Sequence, residues 1–331
     1  MSAEFDHRHA AHCETGAMSS MLRHHGLDIS EPMVFGLASG LTYAYIPLVK
    51  INGLPLIAYR TPPRMIIRAL SRRIPGLKMN FQKFRKPQQG EAGLNHLLDQ
   101  GQVVGLQTSV FFLPYFPENM RFHFNAHNLL VYAREEGAYR ISDPVFSHVV
   151  TVDPPSLSRA RFAKGALAPK GLLYYPVSVP ETIDYPTLLP KAIRFTAKIN
   201  GPKSPVPIAG VKGIARVARN IRGLDRVEAR KAHLYLGHIV RMQEEIGTGG
   251  GGFRFMYAAF LQEAAEILGS SLLDEAAQEM SRIGDEWRLF ALMCARKSKA
   301  RYDDTFDSIA DQLDKIAGLE GELFLRLMSL R

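Results

Sequence analysis

The pattern of apolar residues divides the chain into a mixed N-terminal half and a helical C-terminal half. Residues 13–25 have Met18, Met21 and Leu22 at helical spacing and Gly26 as a left-handed stop, which predicts a helix. Further along, short runs rich in Val, Leu, Ile and Tyr are bounded by Gly, Pro or Asp and predict an antiparallel sheet. These strand candidates are QVVGLQTSV, HNLLVYA, AYRISD, HVVTVD and GLLYYPV.

Beyond the proline-rich run from Pro176 to Pro207 the periodicity is helical. It predicts helices at Leu224–Ile246, Phe253–Leu268, Leu272–Lys297 and Thr305–Ala317. We therefore expect an α+β fold, with a sheet-containing domain at 1–180 followed by an all-α domain at 181–331. No uninterrupted apolar run approaches eighteen residues, and the first residues lack the apolar stretch of a secretory signal. These features predict a cytoplasmic protein without a membrane span.

The positive charge is concentrated in the N-terminal half. Residues 1–180 contain 19 Lys and Arg against 12 Asp and Glu, and nine basic residues but no acidic one lie from Arg60 to Lys86. Such a segment indicates an anionic partner. Apart from Phe81 and Phe84 it lacks the interleaved aromatic residues on which single-stranded nucleic acids stack, so we do not expect a nucleic-acid partner.

Two cysteines occur, and they differ in their surroundings. Cys294 lies among apolar residues at helical spacing, which is typical of a buried, unreactive thiol. Cys13 instead falls in the first turn of the predicted helix, where unpaired backbone N–H groups and the helix dipole stabilise a thiolate. Cys13 is therefore the candidate nucleophile.

A base and an orienting acid are predicted on the following hairpin. His127 begins one strand candidate, and Asp143 ends the next. If a three-residue loop at 134–136 joins the strands, the same register pairs His127 with Asp143, so that the carboxylate orients the imidazole. A helix-borne cysteine, a distant histidine and an acid one strand later follow the chain order of papain-like sites. We therefore predict a catalytic triad of Cys13, His127 and Asp143.

Three segments resemble the butirosin biosynthesis protein H family. They are HAAHCETGAMSSMLRHHGLDISEPMVFGLASGL, HFNAHNLLVYAREEGAYRISDP and EIGTGGGGFRFMYAAFLQEAAEIL, in the family's order. The resemblance implies a papain-like N-terminal domain related to bacteriocin-processing cysteine peptidases, followed by a helical domain. It implies acyl transfer from an acyl carrier protein to an amine-bearing small molecule. The carrier's own phosphopantetheine would then be the only cofactor, with none bound to this chain.

The resemblance leaves the oxyanion donors open, because related peptidases have a glutamine six residues before the cysteine and this chain has His7. The Cys13 backbone N–H and one of His7, His9 or His12 are candidates. The side chains of His7, His9, His12 and Cys13 lie within seven residues and have no established zinc spacing, so we predict no metal site.

Several residues are candidates for substrate binding. Glu31 is a candidate ligand for the acceptor amine, with a capping or salt-bridge role as the alternative. The HFNAH spacing places His123 on the strand face of His127. The run GTGGGGFR, with Gly249, Gly250 and Arg254, predicts a loop that binds the phosphopantetheine phosphate. A flexible connection between helices is its alternative.

A basic helix is the candidate docking site for the carrier. The segment TPPRMIIRALSRRIPG has Thr61 as a plausible N-cap, and a four-residue spacing aligns Arg64, Arg68 and Arg72. An ordinary solvated face is the alternative. For the whole protein, a cysteine peptidase or an amide or thioester hydrolase would use the same triad, and a noncatalytic binding module is the remaining alternative.

Overall fold

The computed structural model describes residues 5–51, 53–245, 249–299 and 304–330, and they form two compact units. Unit 1 contains the chain up to Val34 together with Ile66–Ile183, and unit 2 contains Phe35–Met65 and the chain from Asp184 onward. The division expected at residue 180 lies close to the last of these boundaries. It did not include Phe35–Met65, which the sequence pattern assigned to the N-terminal domain.

Eight strands and eleven α-helices form the described part of the chain. The strands are β1 (Leu41–Ile51), β2 (Leu54–Arg60), β3 (Lys78–Gln82), β4 (Val104–Thr108), β5 (His127–Glu135), β6 (Ala138–Ser142), β7 (Val150–Val152) and β8 (Leu173–Ser178). The helices are α1 (Cys13–His24), α2 (Glu31–Leu37), α3 (Met65–Arg73), α4 (Pro87–Asp99), α5 (Pro154–Arg161), α6 (Tyr185–Asn200), α7 (Gly210–Arg222), α8 (Ala229–Val240), α9 (Arg254–Leu268), α10 (Ser271–Ser298) and α11 (Phe306–Leu327).

Unit 1 is built on a six-stranded antiparallel sheet. Its strand order is β3-β8-β4-β5-β6-β7, and all five predicted strands are present. Alternate residues of β4 and β5, such as Leu106 and Leu129, pack with Leu94 of α4 and Leu157 of α5 in one buried cluster. Helix α1 packs against β5. The predicted α+β class with an antiparallel sheet is therefore confirmed.

The register of the β5–β6 hairpin differs from the predicted one. Glu135 pairs with Ala138, so the turn consists of Glu136 and Gly137 alone, with φ values of 50° and 79°. Two positive φ values are typical of the tight turns that match strand twist. The register also shifts between Val131 and Ala133. The predicted three-residue loop and the direct pairing of His127 with Asp143 are therefore wrong.

Unit 2 contains the two-stranded sheet β1-β2 and helices α6 to α11. The predicted helices correspond to α8, α9, α10 and α11, although Ile246 lies outside the described residues. Helices α6 and α7 were not predicted; α6 lies within the proline-rich run, whereas α7 begins after it and contains no proline. The Asp184 carboxylate accepts a hydrogen bond from the Thr187 N–H and caps α6, whose first turn contains Pro186. Pro190 lies inside the same helix.

A buried ion pair lies in the core of unit 2. Arg254 and Glu320 are both fully buried, and the guanidinium donates to the carboxylate at 2.7 and 3.1 Å. The Trp287 indole N–H donates to the same carboxylate at 2.7 Å, and its ring lies 4.6 Å from the guanidinium carbon. Tyr43 and Tyr59 of the β1–β2 sheet complete this aromatic cluster. Two charges inside a core are tolerated only because each is paired and hydrogen-bonded.

No helix within the described ranges combines the length and the hydropathy that crossing a membrane requires. Both cysteines are free thiols. Cys294 is fully buried in α10, and burial raises the pKa of its thiol well above the ordinary value, as expected for an unreactive cysteine.

Loss of the buried cation should destabilise unit 2 strongly. Arg254→Met leaves the Glu320 carboxylate buried without its cation, and we expect the free energy of unfolding in urea to fall by about 3–5 kcal/mol. Adding Glu320→Gln should recover part of this loss. Lys231→Ala, which breaks an exposed ion pair with Glu228, is the control and should cost at most about 1 kcal/mol. Equal losses of unfolding free energy in Arg254→Met and in the control would contradict the assignment of a buried ion pair that stabilises unit 2.

Candidate active site

Cys13 is the first residue of α1, as predicted. The His12 side chain caps this helix by accepting a hydrogen bond from the Thr15 N–H. Cys13 retains 8% of its accessible surface. The thiol therefore lies beside the free backbone N–H groups of the first helical turn, in a largely water-excluded position.

Glu31 fixes the start of this helix. Its carboxylate accepts hydrogen bonds from the Ala11 N–H at 2.9 Å, the His12 N–H at 2.8 Å and the Thr15 hydroxyl at 2.8 Å. Burial raises the pKa of Glu31, and these three donors act against that shift by stabilising the charged form. The carboxylate thus holds the backbone before the nucleophile and the Thr15 side chain after it. The predicted contact with an acceptor amine is replaced by the capping role that was its alternative.

The imidazole of His127 lies between Cys13 and Asp143. Its Nε2 is 2.7 Å from Asp143 Oδ2, and the other side of the ring is hydrogen-bonded to the Cys13 thiol. Because Asp143 occupies Nε2, Nδ1 is the ring nitrogen left for the sulfur. His127 is 3% exposed and Asp143 is fully buried. The structure therefore brings the three predicted residues into one hydrogen-bonded row.

Asp143 is held by three donors. Besides His127, the Tyr115 hydroxyl donates to Oδ2 at 2.8 Å, and the Val145 N–H donates to Oδ1 at 3.0 Å. Burial, followed by the adjacent carboxylate, raises the pKa of Tyr115 well above its ordinary value, so the phenol keeps its proton and acts as a donor. Tyr115 was not predicted. It lies in the loop FFLPYFPENM, where nothing in the sequence distinguishes it from neighbouring aromatic residues.

The charge of His127 follows from its neighbours. Burial alone would lower the pKa of the imidazole, but Asp143 and, to a smaller extent, Cys13 raise it to about 10. A protonated imidazole that is hydrogen-bonded to both a carboxylate and a sulfur is a proton source beside the nucleophile. The site is therefore suited to nucleophilic attack by sulfur, with a proton available on the same side.

His7 cannot act as the predicted oxyanion donor. Its Nε2 lies 3.0 Å from the Phe146 carbonyl oxygen, which fixes the ring proton on Nε2, and Nδ1 then accepts from the Ser142 hydroxyl at 2.8 Å. These contacts join the N-terminal segment to the loop that carries Asp143. The His12 ring is buried and its Nδ1 faces Thr15. Its role as an oxyanion donor stays a prediction.

His123 does not share a strand with His127, because β5 begins at His127. The His123 ring is exposed and stacks on Phe111, with ring centroids 4.0 Å apart. A contact between His123 and substrate stays a prediction.

The glycine-rich loop binds a carboxylate of its own chain. Residues 249–253 all have positive φ values, between 55° and 83°, and the Gly251 N–H donates to both Glu244 carboxylate oxygens at 3.1 and 3.2 Å. Arg254 is buried against Glu320, so it cannot supply the predicted exposed cation. Gly247 and Thr248 lie outside the described residues. Binding of substrate by Gly249 and Gly250 stays a prediction.

The predicted arginine stripe is shorter than expected. Helix α3 begins at Met65, and Arg64 precedes it with a φ of 74°, a left-handed conformation that cannot continue the helix. Arg68 and Arg72 are exposed on α3. The guanidinium of Arg68 lies over the Phe81 ring at 5.5 Å. A docking role for these residues stays a prediction.

Comparisons with known proteins agree with this geometry. The family model described as butirosin biosynthesis protein H, N-terminal, matches residues 12–144, and a domain of unknown function, DUF4872, matches 155–327. The chain belongs to the family that DUF4872 describes, and its residues 12–144 are similar to butirosin biosynthesis protein H, N-terminal. The N-terminal match contains all three residues of the triad. The structure has the cysteine at the start of α1, the histidine at the start of β5 and the acid directly after β6, which is the arrangement that the resemblance led us to expect.

No curated protein matches the chain in sequence. Among solved structures, a protein described as a C39-like peptidase from Bacillus anthracis is similar over 53% of this chain and 95% of its own length, with 13% identity and a TM-score of 0.36. At that TM-score the likeness carries no argument.

The three hydrogen bonds of Glu31 to Ala11, His12 and Thr15, which we call the Glu31 clamp, should control the reactivity of Cys13. Glu31→Gln places an amide N–H₂ against a backbone N–H donor, so we expect slower alkylation of Cys13 by iodoacetamide and a loss of about 1–3 kcal/mol in unfolding free energy. Asp28→Asn changes an exposed carboxylate of the same unit and serves as the control. Unchanged alkylation in Glu31→Gln, measured by intact mass, would show that the clamp does not position the nucleophile.

The His127 imidazole should titrate far above an ordinary histidine, with a midpoint near pH 10 by NMR. Asp143→Asn should lower this midpoint by more than Cys13→Ser, because Asp143 is the larger of the two raising influences. The native state keeps a proton that the unfolded chain releases at its ordinary pKa of 6.5, so the stability it adds is complete below pH 6.5 and is lost as pH rises through about 10. An unchanged midpoint in Asp143→Asn would contradict this account.

Proposed function

We propose that this protein is a cysteine-dependent acyltransferase that moves an acyl group from an acyl carrier protein thioester to an amine. The observation that carries the proposal is the hydrogen-bonded row of Cys13, His127 and Asp143 at the start of α1. The similarity of residues 12–144 to butirosin biosynthesis protein H, N-terminal, supports a biosynthetic transfer.

In the first half-reaction the Cys13 thiolate attacks the thioester carbonyl carbon. The oxygen becomes an oxyanion, and the backbone N–H groups at the start of α1 are our candidate donors to it. When the intermediate collapses, the bond between the carbonyl carbon and the carrier sulfur breaks. The imidazolium of His127 gives its proton to the departing thiolate. The products are an acyl-Cys13 thioester, neutral His127 and a carrier with a free phosphopantetheine thiol.

The second half-reaction restores the ion pair. A neutral amine attacks the acyl-Cys13 carbonyl carbon, and His127 accepts the amine proton. Breaking the bond between carbon and Cys13 sulfur releases an amide and regenerates thiolate and imidazolium. Asp143 stays ionised throughout and stabilises the charged imidazole. The reaction uses no cofactor other than the phosphopantetheine that arrives as part of the carrier substrate.

Water could replace the amine in the second step, which would make the protein a thioester hydrolase, and a peptide could replace the thioester in the first. The burial of the triad favours transfer, because fewer water molecules reach the acyl-enzyme. Deacylation with and without candidate amines separates these outcomes. Faster loss of the acyl group in amine, with amide as product, supports transfer, and amine-independent loss as free acid supports hydrolysis.

Intact-protein mass after incubation with acyl-loaded carrier proteins tests the first step. We expect an added acyl group on Cys13 in the wild type and none in Cys13→Ala, whose fold should be intact because the thiol adds little core volume. His127→Ala should be nearly as damaging, whereas Asp143→Asn should retain more activity because it changes orientation and charge stabilisation only. Full turnover by Cys13→Ala would refute the mechanism.

A further inference from the structure

Charged loops surround the end of the sheet at which the triad lies. We define the catalytic edge as the sheet end where β4 finishes at Thr108 and β5 begins at His127, which pair with one another. Strand β8 begins at this edge, because Leu173 pairs with Leu106 of β4. Strand β3 ends there, because Gln82 pairs with Leu173. The loop after β3 and the loop before β8 therefore both lie at the catalytic edge.

These two loops are adjacent and entirely without acidic residues. A Cβ added to Gly171 would lie 3.2 Å from the Phe84 carbonyl oxygen, so the backbones approach closely. Residues 83–86 and 162–172 contain no Asp or Glu. All five of their basic side chains are exposed, and we call four of them the basic rim: Arg85, Lys86, Lys164 and Lys170.

The rim is tied to the strands that carry the catalytic histidine. The buried Asn125 amide, two residues before His127, donates to the carbonyl oxygens of Lys164 at 3.2 Å and Ala166 at 2.8 Å. Gln107, which precedes Thr108, donates to the Asn125 carbonyl oxygen at 3.0 Å. Buried amides with several bonds hold a loop in one position. The loop that contains Lys164 is therefore held in one position next to the start of β5.

Apolar surface accompanies the charge on the same loop. Leu167 lies between Lys164 and Lys170 and is 50% exposed. An exposed leucine flanked by cations suits a partner that presents an acidic surface together with an apolar contact.

The arginine stripe of α3, formed by Arg68 and Arg72, does not follow the catalytic edge as the basic rim does. Arg68 lies over Phe81, one residue before β3 ends. Arg72 follows Ser71, whose hydroxyl contacts the Leu77 carbonyl and the Met79 N–H where β3 begins. Since β3 starts at the opposite end of the sheet, the stripe leads away from the catalytic edge.

We propose that the basic rim is the docking surface for the acidic carrier protein that delivers the thioester to Cys13. This inference rests on the proposed function and specifies the surface that the carrier approaches. Opposite charges on the two proteins would raise the encounter rate and orient the thioester toward the catalytic edge. Because these charges are exposed, their effect decreases as salt rises.

Two triple variants with the same change in charge test the proposal. The rim variant is Arg85→Glu with Lys164→Glu and Lys170→Glu. The matched control is Arg68→Glu with Arg72→Glu and Lys78→Glu, three exposed residues of the same unit. The rate of Cys13 acylation is measured with an acyl-loaded carrier protein and with a short thioester of the same acyl group, each at low and high salt.

We expect the rim variant to lose about 10- to 100-fold in kcat/KM for the carrier substrate at low salt. High salt should narrow that difference, and the short thioester should react at an unchanged rate. The control should keep its activity on both substrates. A wild-type enzyme that fails to react with any carrier thioester would refute the proposed function itself.

Other results would overturn the docking assignment alone. An unaffected rim variant, with an active wild type, would remove the rim from docking, and a larger loss in the control would assign docking to α3. Equal losses of the rim variant on both substrates would indicate damage to the site. Rim-dependent binding of double-stranded DNA that is tighter than binding of the carrier would show that the partner is a nucleic acid.

Discussion

The structure of the site depends on one buried carboxylate. Asp143 is removed from water, and an isolated charge there would cost several kcal/mol. Three donors from different segments compensate for this: the His127 ring, the Tyr115 hydroxyl and the Val145 N–H. Because each oxygen is satisfied, the carboxylate has one favourable orientation, and that orientation fixes the imidazole against Cys13. A structural change in any of the three segments should therefore alter the position of the imidazole relative to the Cys13 sulfur.

The triad was predictable because its members combine a reactive side chain with a recognisable place in the local pattern. Cys13 precedes a clear helical periodicity, and His127 begins a strong strand. The hairpin register was wrong, yet the contact between His127 and Asp143 is present. Asp143 follows the last residue of β6, so its side chain reaches the ring from beyond the ladder without being paired opposite it. The contact between these two side chains therefore does not depend on the predicted pairing of the two strands.

The wrongly assigned charged residues have partners that no local pattern reveals. A sequence does not distinguish an arginine that faces a ligand from one that faces a buried carboxylate, and Arg254 meets Glu320 from a different helix. Glu31 was assigned to an amine because carboxylates bind amines, but it binds backbone N–H groups that precede it by about 20 residues. The sequence likewise does not reveal that Tyr115 donates a hydrogen bond to Asp143. Such contacts depend on tertiary packing, which propensity and spacing do not encode.

The chain passes from one unit to the other three times, near residues 34, 65 and 183. The β1–β2 hairpin supplies Tyr43 and Tyr59 to the aromatic cluster around Trp287, although it lies within the segment matched by the N-terminal family model. A single cut near residue 183 would separate a helical fragment from two of its own core tyrosines. The two family models that divide this chain thus describe consecutive stretches of sequence, whereas each of the two units combines two separate segments. Neither stretch could be exchanged between homologues as a self-contained module unless the hairpin moved with the helices it packs against.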